Sequence, residues 1–230
     1  SETKHDKSTY SIFGGSIVLE GSTLNARQFA TQGSREKMAA QIFTGTEHFR
    51  SGASKVTKDT PEPYKKVQSW LQVSYQNETY HKVSPKFTLG AYLEAYYSSR
   101  NFSNNYTATL MQAGEFTPTA HSKVTYNEAF RANQYAGVGA MPIYQLSESF
   151  QLRGEFYGFV PIFPIKKDEY GQAYYGKAFT KFEYLGEISL VFQLSFGSIS
   201  AYVNHYSSPS NDWNVGLTLG WQLFNSRFIE

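Results

Sequence analysis

The sequence predicts an all-β protein, an antiparallel transmembrane β-barrel of about eight to ten strands. Three observations predict this fold class: apolar and polar residues alternate along successive segments, aromatic residues are abundant, and the connections alternate between long and short. Aromatic residues make up 17% of the 230-residue chain, with 18 Tyr and 18 Phe. A barrel strand turns only one face to lipid, and aromatic side chains collect where that face meets the headgroups.

The last predicted strand, residues 213–224, has the clearest alternation. One face carries only apolar side chains and the other mostly small or polar ones, because successive side chains of a strand point to opposite faces. The apolar positions are Trp213, Val215, Leu217, Leu219, Trp221 and Leu223. About eleven such residues can cross a bilayer when tilted. A half-buried strand of a soluble sandwich also alternates, so the interpretation depends on the other strands.

The other predicted strands alternate in the same way. They cover residues 10–20, 35–50, 69–80, 86–98, 132–144, 150–160, 181–194 and 198–206. The long stretch 99–131 is rich in Asn, Thr and Pro and offers at most one short strand, near residues 107–111. No segment of useful length has the helical period. The pattern therefore predicts eight strands between residues 35 and 224, and one before them.

The connections support a membrane barrel over a soluble sandwich. From the second predicted strand onward they run long, short, long, short, long, short and medium. Outer-membrane barrels have short periplasmic turns and longer outer loops. We therefore assign residues 35–230 to the barrel. Residues 1–34 form an N-terminal segment whose strand is periplasmic, interior or the first of the barrel. Counted as a ninth strand, it makes the number of barrel strands odd, unless a further strand within 99–131 raises that number to ten.

Composition excludes several classes of function. The net charge is only +2, and no basic run interleaves with aromatic residues, so we expect no nucleic-acid partner. The absence of cysteine excludes disulfides and thiolate metal sites. The sequence contains no run of 18 apolar residues, so it predicts no transmembrane helix. The polar residues 1–9 have no signal-peptide core, which indicates a processed chain or a piece of a longer one.

Motifs for catalysis are missing from the sequence. We find no Gly-x-Ser-x-Gly elbow, no His-Glu-x-x-His and no phosphate-binding glycine loop. Ser207, His205 and Asp212 are close in sequence at one rim, but a turn rich in Ser, Asp and Asn produces such neighbours by composition alone. The histidines are isolated. We expect His5, His48, His81 and His121 to be solvated, and His205, at an apolar position near a strand end, to be interfacial. The sequence predicts no catalytic residue, cofactor or metal site.

Two sets of residues have a predicted location in the barrel. Charges at inward positions must face a wet or paired interior, and we expect them to form a polar network in the lumen. They are Glu94, Arg153, Glu155 and Glu187. Aromatic residues near strand ends are expected at the membrane interface. They are Trp70, Phe87, Tyr97, Phe150, Trp213 and Trp221.

Several segments resemble the C-terminal part of patatin-like phospholipases of the Bacteroidetes type. They are residues 102–110, 116–119, 135–139 with 142–144, 152–157 and 226–230. The resemblance implies a surface-antigen barrel, related to assembly factors of the bacterial outer membrane, that follows a patatin hydrolase and a small periplasmic module. It also implies that two eight-strand halves can pair into a sixteen-strand barrel. The chain lacks the patatin serine motif and its Asp-Gly partner, so no catalytic residue carries over.

Three functions remain open at this point. The first is a membrane anchor or export pore, single or dimeric, for an attached or partner patatin-like hydrolase. The second is a small membrane-embedded hydrolase that uses rim residues such as His205 and Ser207. The third is a pore or adhesin lined by the inward charges. All three place the chain in the bacterial outer membrane with lipids as partners and without a cofactor.

Overall fold

The computed structural model describes residues 7–50, 64–208 and 213–221 of the chain. Nine long strands form one antiparallel sheet in which spatial order follows chain order. They are β1 (Lys7–Ser22), β2 (Gly33–Arg50), β3 (Tyr64–Ser84), β4 (Phe87–Ser98), β7 (Gln134–Gln145), β8 (Phe150–Pro161), β11 (Glu183–Leu194), β12 (Gly197–Tyr206) and β13 (Trp213–Trp221). The prediction of an all-β fold with a large antiparallel sheet is confirmed.

Short elements lie between the long strands. Two small hairpins pair β5 (Gly114–Glu115) with β6 (Arg131–Ala132), and β9 (Ile165–Lys167) with β10 (Ala173–Tyr175). Two 3₁₀ turns cover Ser122–Val124 and Glu128–Phe130. Helix α1 covers Tyr106–Gln112. The described residues contain no helix that is long and apolar enough to cross a membrane.

Helix α1 corrects the prediction of a short strand near residues 107–111. The side chain of Asn105 accepts a hydrogen bond from the Ala108 backbone N–H at 2.7 Å and so caps the helix. This cap supplies a partner for one of the first-turn N–H groups, which have none inside a helix. With only seven residues, α1 is too short to show a helical apolar period in the sequence.

Strand β1 belongs to the same sheet as the others. It pairs with β2 along its whole length, from Lys7 opposite Arg50 to Ser22 opposite Arg35. The predicted strand at residues 10–20 is thus an edge strand of the large sheet. Residues 222–224 of the last predicted strand, His5, Asp212 and the 226–230 part of the family resemblance lie outside the described residues.

The sheet curls toward one face, which we call the inner face. The loop between β1 and β2, residues 23–32, crosses to the far side of the sheet. There the carbonyl of Phe29 accepts hydrogen bonds from Gln151 of β8 and Gln193 of β11, and Gln28 accepts one from Ser198 of β12. In a flat sheet these strands would lie several strand spacings of about 4.8 Å away. The sheet is therefore strongly curved around this loop.

A second segment, residues 99–131 between β4 and β7, also packs on the inner face; we call it the insert. Its Phe116 packs against Tyr92 of β4 and against Tyr157 and Phe159 of β8. A Cβ at Gly137 would lie 2.1 Å from the Phe116 ring, so only glycine permits this approach. The main aromatic core thus lies between the insert and the sheet, rather than between two sheets.

The two edges of the sheet, β1 and β13, have no second partner strand within the described residues. A closed barrel is therefore not observed in that part of the chain. Eight antiparallel pairings separate β1 from β13, so the two edge strands run in the same direction.

Candidate functional site

The strand register separates two faces of opposite character. Residues paired across neighbouring strands share a face, so the register assigns every side chain of the sheet to one side. The outer face is apolar and exposed: Phe13 is 80% exposed, Val215 81% and Leu217 80%. The inner face is polar and buried, and the predicted charges Glu94, Arg153, Glu155 and Glu187 all lie on it. They do not form one network: Arg153 and Glu155 share a first cluster, Glu187 belongs to a second, and Glu94 bonds to neighbouring tyrosines.

The first cluster is built around Arg153, which is 3% exposed. Its guanidinium donates to the Glu155 carboxylate, to the Tyr80 hydroxyl and, at 2.9 Å, to the carbonyl of Ala30 in the 23–32 loop. Tyr157 donates to the other oxygen of Glu155 at 2.9 Å. Because both charges are paired and hydrogen-bonded, this cluster is stable without a ligand. The cluster holds the 23–32 loop against the inner face of the sheet.

Glu94 extends this polar region toward the insert. Its carboxylate accepts hydrogen bonds from Tyr135 at 2.6 Å and from Tyr92. Tyr135 also donates to the carbonyl of Glu115, which belongs to the insert. Glu94 therefore helps to hold the insert against β4 and β7.

The second cluster joins a carboxylate, an imidazole and a hydroxyl in line. Glu187 of β11 contacts His121 Nδ1 through Oε1 at 2.6 Å, and His121 Nε2 lies 3.3 Å from Ser200 Oγ of β12. All three residues are buried: Glu187 is 2% exposed, His121 3% and Ser200 1%. This geometry allows Glu187 to fix the imidazole tautomer while Nε2 accepts the hydroxyl proton.

Neighbouring side chains hold the second cluster in place. The other oxygen of Glu187 accepts from Thr119 at 3.2 Å and from Asn204 at 3.3 Å. The His121 ring stacks on Tyr202 with the ring centroids 3.6 Å apart and the planes 12° apart. The carboxylate and the imidazole therefore have fixed orientations, which general acid–base chemistry requires.

A third polar group lies where the insert begins. Glu47 accepts from Tyr10 at 3.0 Å and from the Asn104 N–H at 3.4 Å. The Arg100 guanidinium lies over the Trp70 ring, 4.3 Å from its centroid. Burial lowers the pKa of Arg100, and the nearby Tyr10 and Glu47 oppose that shift. This group anchors the insert to β1, β2 and β3.

The predicted interface aromatics divide between the two faces. Phe87, Tyr97, Phe150 and Trp213 lie on the outer face, at or next to the ends of their strands. Trp70 differs from the expected placement, because it lies on the inner face, buried beneath Arg100 and stacked on Phe43. Trp221 ends β13, and its side chain lies outside the described part of the structure.

The rim residues Ser207 and His205 are not brought together. His205 lies on the outer face against the rings of Tyr184 and Trp213. The Ser207 hydroxyl donates to Glu183 and accepts from the Tyr184 N–H at 2.9 Å. Within the described residues, this rim offers no paired serine and histidine.

The cluster of Glu187, His121 and Ser200 was missed at the sequence level, and the expectation of a solvated His121 is wrong. His121 comes from the insert, whereas Glu187 and Ser200 come from two strands and lie 66 and 79 residues away from it in the chain. No spacing motif connects them. The one available signal was Glu187, a charge at an inward strand position. Among the described residues, no group of three or more His, Cys, Asp or Glu could hold a metal ion.

Comparisons with known proteins do not assign this chain to a family. No protein-family model matches it, and neither a curated protein nor a solved structure is significantly similar to it.

Proposed function

We propose that this chain is a β-barrel domain that spans the bacterial outer membrane and acts as a membrane anchor. One observation carries the proposal: the sheet exposes its apolar face and buries its charged face. Water-soluble proteins rarely expose an apolar surface this extensive, because it favours association. A barrel in lipid requires this arrangement, with apolar side chains outward and polar ones inward.

Strand dimensions support the same proposal. Strands β4, β7, β8 and β11 each have 12 residues, and a tilted membrane strand needs about 9–11. The outer face carries aromatic rings at both strand ends: Phe87 and Phe150 at the short-turn end, Tyr97 and Trp213 at the long-loop end. Aromatic rings prefer the two headgroup levels, so this placement fits a spanning sheet.

The filled interior supports an anchor rather than an open pore. The insert and the 23–32 loop occupy the inner face, and the charges a channel would need are paired: Arg153 with Glu155, and Glu187 with His121. We therefore expect no steady conductance in planar bilayers. A stable open channel in the wild-type protein would favour the pore function instead.

The unpaired edges require a partner strand, because lipid cannot satisfy free backbone groups. The strong curl supports closure within one chain, with β1 beside β13 in a parallel pair; odd-stranded barrels with this property are known. A second copy is the alternative partner, since a two-fold axis would pair β1 with β1 and β13 with β13 antiparallel.

Single cysteines distinguish these two routes, because the chain has none of its own. A Cβ at Gly15 in β1 meets no atom within 4 Å, so Gly15→Cys fits without strain. For closure within one chain, a short thiol cross-linker joins Gly15→Cys to Leu217→Cys inside one molecule at any protein concentration. For closure by a second copy, Gly15→Cys alone gives a cross-linked dimer.

The hydrolase remains a proposed partner, drawn from the resemblance to patatin-like phospholipases. In this proposal the barrel anchors a patatin domain that is fused to it or encoded beside it. Sequencing the gene upstream of Ser1 tests this directly. A patatin domain there, or in an adjacent gene, supports the partner, and unrelated sequence in both places overturns it.

The membrane proposal is tested by extraction and gel migration. We expect the protein to require detergent, to float with liposomes and to migrate faster before boiling than after it, as folded barrels do. A monodisperse protein that stays soluble without detergent and does not bind liposomes would contradict the proposal.

A further inference from the structure

We propose that Ser200, His121 and Glu187 form a hydrolytic site for carboxylic esters on the inner face of the sheet. The inference rests on the distances already described, 3.3 Å from Ser200 Oγ to His121 Nε2 and 2.6 Å from His121 Nδ1 to Glu187. An acid, an imidazole and a hydroxyl in this order define a serine nucleophile by geometry, on any fold. The rim pair His205 and Ser207 takes no part.

The substrate approach that we infer for Ser200 passes above strand β13. Thr218 of β13 is directly opposite Ser200 in the register, and both side chains point to the inner face. On that face β13 carries only Asn214, Gly216, Thr218 and Gly220, all half-buried. Tyr202 covers Gly216 and Gln28 lies over Gly220, so we place the approach at the half-buried Thr218 between them.

The side chains around this position indicate the class of substrate. Thr218, Ser198 and Gln28 are polar, and the described inner-face residues of β13 are all small or polar. We therefore infer an ester with a short acyl group that reaches the site from the polar interior. The Cβ atoms of Thr218 and Ser200 lie about 5 Å apart as a cross-strand pair, so the Thr218 hydroxyl can turn toward Ser200 and donate to the developing oxyanion.

The reaction is a two-step hydrolysis with water as the second reactant. Ser200 Oγ attacks the carbonyl carbon as its proton passes to His121 Nε2. The bond from carbon to the alcohol oxygen then breaks, and the leaving alcohol takes the proton from His121. Water, deprotonated by His121, attacks the acyl-serine; the carboxylic acid leaves and Ser200 regains its proton. Glu187 is a positioning residue, since it acts only through the imidazole.

A fluorophosphonate probe tests the nucleophile without any substitution. In the folded protein, identified by its heat-dependent migration, we expect one labelled serine, Ser200, located by mass spectrometry of the peptides. Failure to label the folded protein, or labelling at another serine only, would overturn the proposal. Heat-dependent migration without labelling refutes this site while leaving the membrane proposal standing.

Variants then separate chemistry from structure. Ser200→Ala and His121→Gln should each lower hydrolysis of p-nitrophenyl acetate about 10²–10⁴-fold. Glu187→Gln should lower kcat with little change in KM. The matched control is Ser189→Ala. Ser189 is an equally buried serine on the inner face of β11 and does not belong to the cluster of Ser200, His121 and Glu187. Equal loss in Ser189→Ala and Ser200→Ala would show a merely structural role and overturn the proposal.

Discussion

The two faces of the sheet are made from the same strands, yet one exposes apolar side chains and the other buries charged ones. On the outer face Phe13, Ile17 and Leu217 are exposed, whereas on the inner face Arg153 and Glu187 are buried and paired. A soluble sheet would bury the first set and hydrate the second. This difference supports the proposal that the medium outside the sheet is apolar. The inner face is stabilised by polar contacts with the chain's own loops.

The largest expected effect is on the inner face, at the buried Arg153–Glu155 pair. Arg153→Ala leaves Glu155 without its counter-charge and removes the bond to Ala30, so we expect a loss of about 3–5 kcal/mol in the free energy of unfolding. Urea titration of the folded band in liposomes measures this loss. Arg35→Ala is the control, because the Arg35–Glu78 pair is partly exposed and should contribute about 1 kcal/mol or less.

On the outer face, a charge in mid-strand tests the apolar medium directly. Ile188→Arg should cost about 2–4 kcal/mol in lipid because Ile188 lies near the middle of β11, and Tyr184→Arg near the strand end should cost about 0–1 kcal/mol. Urea titration in liposomes gives both values. If both substitutions change stability by less than about 0.5 kcal/mol, the outer face meets water and the comparison between the faces fails.

The close contact between the insert and strand β7 gives a smaller expected effect on the free energy of unfolding. Gly137→Ala places a methyl group against the Phe116 ring, which is buried and cannot move freely, so we expect a loss of about 1–3 kcal/mol. Gly21→Ala is the matched control, since no atom lies within 4 Å of its Cβ. Equal stability of the two variants would mean that the insert does not pack on β7 in solution.

The smallest expected effect concerns α1 within the insert. Asn105→Ala removes the cap bond to Ala108 and should cost about 1 kcal/mol, expressed locally as faster hydrogen exchange in residues 106–112. Asn101→Ala, an exposed position in the same loop, should leave exchange unchanged. Unchanged exchange in both variants would show that the cap does not stabilise the insert.

Strand-level features were predictable because they depend on local periodicity. All nine long strands were predicted, and the odd and even faces of β4, β8 and β13 agree with the predicted alternation. Glu94, Arg153, Glu155 and Glu187 share one face of the sheet because each occupies the alternate position to the apolar side chains of its strand. Strand ends were less accurate: β3 begins at Tyr64, five residues before the predicted start, since polar residues such as Lys65 carry no alternation signal.

Local alternation predicts which residues form strands and which face each side chain takes, because a period of two is visible in neighbouring residues. The contacts that cover the inner face form only when distant parts of the folded chain meet. The insert and the 23–32 loop have no repeating pattern, and their contacts join residues far apart in the chain. Trp70 was therefore expected at the membrane and lies under Arg100, and His121 was expected in solvent and lies between Glu187 and Ser200.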